Sequence, residues 1–384
     1  MPANPASLGC YKSNGNDNPD DSSIVQAFSR SNLSAARFGV CYWQPQTVPD
    51  DICKPLPTIF RSAEEAKDSL DLLISDTYKL SHHMRGAGVF INVDDENISA
   101  KRFQDLSERN RENVKQWREI FENSMSNFDN RRLYGRESQL GFILMRMDHA
   151  MASILADMSF QPGDVMAYDK YTEHFITIVT SAQKAVGAVK EIHMNGDEAM
   201  KPYREQFTFM PEGGWSSPLF FTALNCRIRR LRHHAIRFLQ SVSTQEFIWN
   251  HRITADVAKE IMQLEHGGEF DPSEDEYDML TPLRKEELAA PNVPRERRID
   301  NVKIALLDNP RRAILTYMKA NINGERELAV RQYDLGRQRD LLRKEDALNT
   351  YQNLVASNAL LNYDPSRTSR SGLRESLLKG SSTN

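Results

Sequence analysis

Arg227, Arg229, Arg230, Arg232 and Arg237 fall within eleven residues, together with His233 and His234, and no acid interrupts them. Two chemistries are open to such a cluster. It can hold phosphate or an acidic partner, or it can neutralise the protein's own carboxylates. A helix from Ile228 to Val242 puts Ile228, Leu231, Ala235, Phe238, Leu239 and Val242 on one side. Arg227, Arg230, His234 and Arg237 form the adjacent stripe. A basic run beside so regular an apolar stripe reads as a solvated or internally paired face. The expectation is therefore a helical wedge over Pro218–Val242. Its apolar flank docks inward, and its guanidinium groups lie outside or against carboxylates.

Other chemistry finds little support. None of the four cysteines, Cys10, Cys41, Cys53 and Cys226, lies two residues from another, so no C-x-x-C metal pair exists. No H-E-x-x-H or E-x-x-H occurs among the nine histidines, and His82–His83 and His233–His234 are adjacent pairs that diverge on a helix. No P-loop and no G-x-S-x-G is present. Cys226 and His233, seven apart on one helix, are out of hydrogen-bond reach of each other. The expectation is a chain that is not an enzyme and holds no cofactor.

The elements that must position the basic segment follow from pattern. The 384 residues suffice for one large domain or two ordinary ones, and 40% hydrophobic with 27% charged residues suits a globular protein. A formal net charge of -4 gives no basic excess of the kind nucleic acid binding requires. The N-terminus has no apolar signal core, and no apolar run approaches the ~20 residues of a membrane span. Residues 1–34, rich in Asn, Pro, Ser and Asp, read as disordered. Ser62-Ala-Glu-Glu65 is a capping box opening a first helix that closes near Gly86. A second runs over 99–128, a third begins near Ser138 with apolar residues on nearly every side, and a fourth follows a cap at Asp164. Residues 190–214 read as an irregular connection. A helix restarts at Ser216-Ser-Pro with a serine cap, and another spans Thr254–His266. A long exposed loop follows over 269–298, then a β-hairpin of IDNVKIALL and AILTYMK about a DNPRR turn. A charged helix is expected over 325–357 and a disordered tail over 358–384. The fold expected is all-α, an antiparallel helical array with one small β-hairpin near the C-terminus.

Several of these stretches together resemble a known family. FRSAEEAKDSLDLL, KQWREIFENSM, YDKYTEHFITIVTSAQ and RRIDNVKIAL each match a helix or strand of it, and WSSPLFFTALNCRIRRLRHHAIRFL matches most fully. Trp249, the helix Val257–Ile261 and Glu265 follow in the order that pattern has. Residues 35–320 thus resemble the helical regulatory region of fungal zinc binuclear cluster transcription factors. The resemblance implies a nuclear transcription regulator, with the cytoplasm as the alternative location. It implies partners among other transcription factors or regulatory proteins, including pairing into an oligomer. Arg227, Arg230, His234, Arg237 and Trp249 would be its structural or partner residues. The six-cysteine zinc cluster of that family is not encoded here, which puts direct DNA binding in doubt. Either the module was lost, or it is encoded upstream of this start. The competing reading is a helical scaffold unrelated to transcription, with the 325–357 helix as its partner surface.

Overall fold

The computed structural model describes residues 33, 52–90, 96–125, 136–160, 164–194, 214–241, 245–246, 249–266, 293–306, 312–321, 324–334 and 339–340. The segments expected to be disordered, 1–34 apart from Leu33 and 358–384, lie outside these residues, as does most of the connection expected over 190–214.

Seven α-helices occur among the described residues: α1 (Ala63–Phe90), α2 (Glu96–Ser124), α3 (Arg136–Met158), α4 (Thr172–Met194), α5 (Ser216–Asn225), α6 (Arg229–Ser241) and α7 (His251–His266). The first begins as its sequence dictates. Ser62 Oγ accepts from the Glu65 amide at 3.1 Å, and Glu65 reaches back to the Arg61 amide at 2.6 Å, one residue before the cap. Asp164 accepts from the Met166 amide at 3.0 Å but does not cap α4: the element that follows is a 3-10 turn whose cap position is Met166, with no side-chain cap bond. That turn, Ala167–Tyr171, leads into α4.

α3 is the hub, packed on α1, α2, α4 and α5, as its all-round apolar sequence requires. Trp117 of α2 ties the first layer together. Its indole donates to Ala66 O at 2.9 Å, and its ring stacks on Phe121 (4.8 Å) and His149 (5.4 Å). The second layer is α5, α6 and α7, mutually packed, with α4 against both α5 and α6. Every residue of α5 but Asn225 is buried. The expected serine cap on α5 is absent: Trp215 occupies the cap position and makes no side-chain cap bond.

The hairpin is present and is part of something larger. β3 (Asp300–Leu306), β4 (Arg312–Ala320), β5 (Arg326–Asp334) and β6 (Arg339–Asp340) form an antiparallel sheet in the order β3-β4-β5-β6. A second ladder is minimal, Gln245–Glu246 against Trp249–Asn250. The architecture is mainly helical with a small antiparallel sheet.

Over Arg326–Asp334 the expected charged helix is instead a strand, in register with β4 from Arg312↔Asp334 to Ala320↔Arg326. The reason lies in β4. Ala313, Ile314, Leu315, Thr316 and Tyr317 are all buried, so both edges of this strand need a hydrogen-bonding neighbour. β3 supplies one edge and β5 the other. Gly324, at φ +81°, makes the reversal, and its amide donates to Asn321 O at 3.0 Å. The rest of the expected helix, beyond residue 340, lies outside the described residues.

Candidate functional site: a buried arginine knot and an open charged cleft

The basic segment is not one helix. After Asn225 the chain turns extended at Cys226 (φ −70°, ψ 137°), and α6 begins only at Arg229. The apolar flank docks as expected: Leu231 and Leu239 are 0% exposed and Phe238 1%. Burying each such side chain contributes about 1.5–3 kcal/mol. The polar stripe does not lie outside. Arg227, Arg230, Arg232, His233 and His234 are all buried, Arg237 is half-buried, and Arg229 is exposed. α6 is enclosed by α4, α5 and α7, so it has little outside on which to place charge.

The buried arginines converge on one acid. Glu265 of α7 has a fully buried side chain. It accepts from Arg232 Nη1 and from the Ile299 amide at 2.7 Å, and it forms an ion pair with Arg227 Nη2 at 3.1 Å, while Arg227 Nη2 donates to Ile299 O at 3.3 Å. Arg232 Nε donates to Ala223 O at 2.8 Å. Arg227 Nη1 donates to Leu224 O, which the break in the helix makes possible by turning residue 227 back over α5. A second pair extends the knot. Arg298, 1% exposed, makes a bidentate bond to Asp169 (2.9 and 2.8 Å) and donates to Val165 O and Val293 O. This overturns the expected exposed loop at that residue. The carbonyl of Arg298 in turn accepts from Arg326 Nη1 at 2.7 Å, which brings in the sheet. Arg331 of β5 reaches Glu260 of α7 at 2.6 Å. Burial, and the neighbouring guanidiniums of Arg232 and Arg298, lower the Arg227 pKa to about 10, with Glu265 opposing them. Arg227 therefore stays charged at neutral pH.

The knot is structural chemistry. Its arginines are turned inward, out of reach of a phosphate backbone, and bound to backbone carbonyls that fix α5, α6, α7 and β3 in place. Of the other sequence candidates, Arg230 Nε donates to His234 Nε2 at 3.3 Å. Trp249 lies on a two-residue strand opposite Glu246, next to the start of α7. Arg298 falls in the RRIDNVKIAL stretch that carries the resemblance, but it is not among the candidate site residues named from the sequence. Burial pushes the thiols of Cys226 and Cys53 up to about 12, so both are protonated at neutral pH. Among the described residues no group of three or more His, Cys, Asp or Glu could hold a metal ion. No described helix is long and apolar enough to cross a membrane.

Charge of another kind lines a cleft of about 540 Å³ between α2, α3 and α4. Glu108, Arg111, Glu112, Lys115 and Arg118 face it from α2, His149, Ser153 and Asp157 from α3, and His174 from α4. The spacing does this: positions 108, 111, 112, 115 and 118 share one helix face, as do 149, 153 and 157. Arg111 pairs with Asp157, and Arg118 with Glu122 at 3.0 Å. Burial, chiefly, lowers the His149 pKa to about 4 and also lowers that of His174. Burial and the adjacent Asp157 carboxylate raise Tyr171 to about 12. The stripe on α2 was legible only as a solvated helix face.

Compared with known proteins, the chain matches no family model, no curated protein and no solved structure.

Proposed function

We propose that this chain is a helical regulatory, or effector, module of a fungal transcription regulator, related to the zinc binuclear cluster factors. It works in the nucleus through other regulatory proteins and controls a metabolic gene set. It is not an enzyme, and it reads DNA only through what it pairs with. The observation that carries the reading is the Arg227–Arg232–Glu265 knot. Two of the sequence stretches behind the resemblance, Cys226-Arg to Leu239 and the helix that carries Glu265, are joined by this knot. That gives a physical reason for those residues to occur together in such an order. The competing scaffold reading took the 325–357 helix as its partner surface, and a strand occupies the first part of that segment.

The reading is tested in a fungal cell by fusing the chain to an unrelated DNA-binding domain and measuring a reporter, with chromatin capture of the unfused chain alongside. The expected result is a reporter output changed at least several-fold, nuclear location, and recovery of specific promoters. A reporter indistinguishable from the DNA-binding domain alone, with the chain excluded from the nucleus, rejects it.

A further inference from the structure

The floor of the cleft between α2, α3 and α4 offers a hydrogen-bonding atom that the fold does not use. His149 is 9% exposed, stacked on Trp117, and its Nε2 lies 2.9 Å from Val114 O. A carbonyl only accepts, so Nε2 carries the proton and Nδ1 is left as an acceptor. Nδ1 has no partner among the described residues, and the ring forms part of the cleft wall.

Above this floor the charges are balanced but incompletely satisfied. Three cations (Arg111, Lys115, Arg118) and three acids (Glu108, Glu112, Asp157) line the cleft. Arg111 and Asp157 pair with each other, and Arg118 is held by Glu122. Among the described residues, Glu108 and Glu112 accept only from the neutral amides of Gln104 and Gln116, at 3.1 and 3.0 Å. Lys115 has no hydrogen bond or ion pair among the described residues. Two carboxylates and one ammonium thus face the same space without a direct ion pair among the described residues, beside a half-used imidazole.

A simple anion here would meet Glu108, Glu112 and Asp157, and a simple cation would meet Arg111, Lys115 and Arg118. The lining suits a molecule that carries both charges. Glu112 and Lys115 are three apart on α2, so their Cβ atoms lie about 5–6 Å apart. That separation fits an ammonium and a carboxylate joined through one or a few atoms. The volume falls within the range of small-molecule sites.

We propose that this cleft binds a small zwitterion of the α-amino acid class. Lys115, with Arg118 beside it, takes the carboxylate. Glu108 and Glu112 take the ammonium, and His149 Nδ1 accepts a further N–H. The inference does not rest on the regulatory reading, because it needs only the purified chain, and either can fail alone.

The test is calorimetric titration of the full chain with each proteinogenic α-amino acid at up to about 10 mM. Dipeptides form a second arm, and for each binder the matched carboxylic acid without its amine and amine without its carboxylate form a third. The expected result is saturable binding of at least one amino acid or dipeptide. The single-charge analogues should be weaker by at least about tenfold. Whichever of the first two arms binds identifies the source of the zwitterion. Lys115→Gln and Glu112→Gln, both at exposed positions, should each weaken binding by about tenfold or more. Arg295→Gln, on the exposed turn before β3, should leave it unchanged. No binding across the first two arms overturns the proposal, as does equal binding of a single-charge analogue or unchanged affinity in Lys115→Gln.

Discussion

Arg232 and Arg118 both sit on amphipathic helices and both meet a glutamate, yet Arg232 has a side chain 0% exposed and Arg118 one 66% exposed. The arginines around Glu265 are bound by carboxylate and backbone carbonyls together, and solvent takes no part. Of those along α2, Arg111 meets Asp157 and the Phe160 ring and Arg118 meets Glu122, and both line an open cleft. Arg227 Nε and Arg232 Nη2 have no hydrogen-bond partner among the described residues, so these buried guanidiniums depend on the Glu265 carboxylate and the carbonyls that the other nitrogens reach, and losing that carboxylate is costly. An exposed ion pair contributes about 0–1 kcal/mol, so the cleft can exchange its partners without a cost to the fold. The same residue types thus act as joint in one region and as contact surface in the other. Which role applies is decided by what surrounds the helix.

The largest effect that could break this contrast is at Glu265. Glu265→Gln leaves Arg227 and Arg232 buried without their counter-charge, which should destabilise the chain by roughly 3–5 kcal/mol. In urea titration the midpoint should fall with an unchanged slope. Adding Arg232→Met to that variant should restore part of the loss, because one uncompensated charge is removed with it. A loss under about 1 kcal/mol would mean that the backbone carbonyls alone hold the guanidiniums.

A smaller effect sharpens the other side of the comparison. His149 titrates near 4 in the folded chain and near 6.5 when unfolded, with burial as the main cause. The folded value is the lower one, so the unfolded chain takes up its proton first as the pH falls. The stability from neutral His149 is complete above pH 6.5, is lost between 6.5 and about 4, and changes no further below that. The loss amounts to roughly 3 kcal/mol. Arg118 and His174 face the ring with like charge, and Glu122 with opposite charge. His149→Phe keeps a ring against Trp117 and cannot protonate. Its stability relative to the wild type should therefore rise through this window in denaturant titrations at a series of pH values. Parallel curves for the two proteins would place the histidine in contact with water in the folded state.

Much of the fold was legible because helices announce themselves by period. The capping box at Ser62, the apolar α3, the inward flank of α6 and the first hairpin all follow from local residue pattern. What was illegible was long-range. The strand Arg326–Asp334 is as charged as a surface helix, and only the two-sided burial of β4, a tertiary fact, makes it a strand. The expectation left the arginines of the segment either outside or against carboxylates; Arg232 takes the second course, and the choice was illegible for the same reason. Amphipathicity says which face is apolar, but not whether the opposite face meets water or another helix. Arg298 and Asp169, 129 residues apart, carry no local mark of their pairing at all. The half-used imidazole of His149 likewise becomes visible only once Val114, Trp117 and the cleft are assembled around it.

Arg230 and Arg237 bring the comparison down to neighbouring turns of one helix. Arg230 is 6% exposed and donates to His234 Nε2, while Arg237 is half-buried. Arg230→Ala removes a buried stem and leaves His234 without that donor, which should cost about 1–3 kcal/mol. Arg237→Ala should cost under about 1 kcal/mol, because water can reach what it leaves behind. Duplex DNA affinity, measured at low and moderate salt, should be the same in both variants as in the wild type. A salt-dependent affinity that falls in Arg237→Ala while stability holds would move this turn of α6 from joint to contact surface. The division between the two regions would then run through the helix, along the line where its side chains pass from enclosed to half-open.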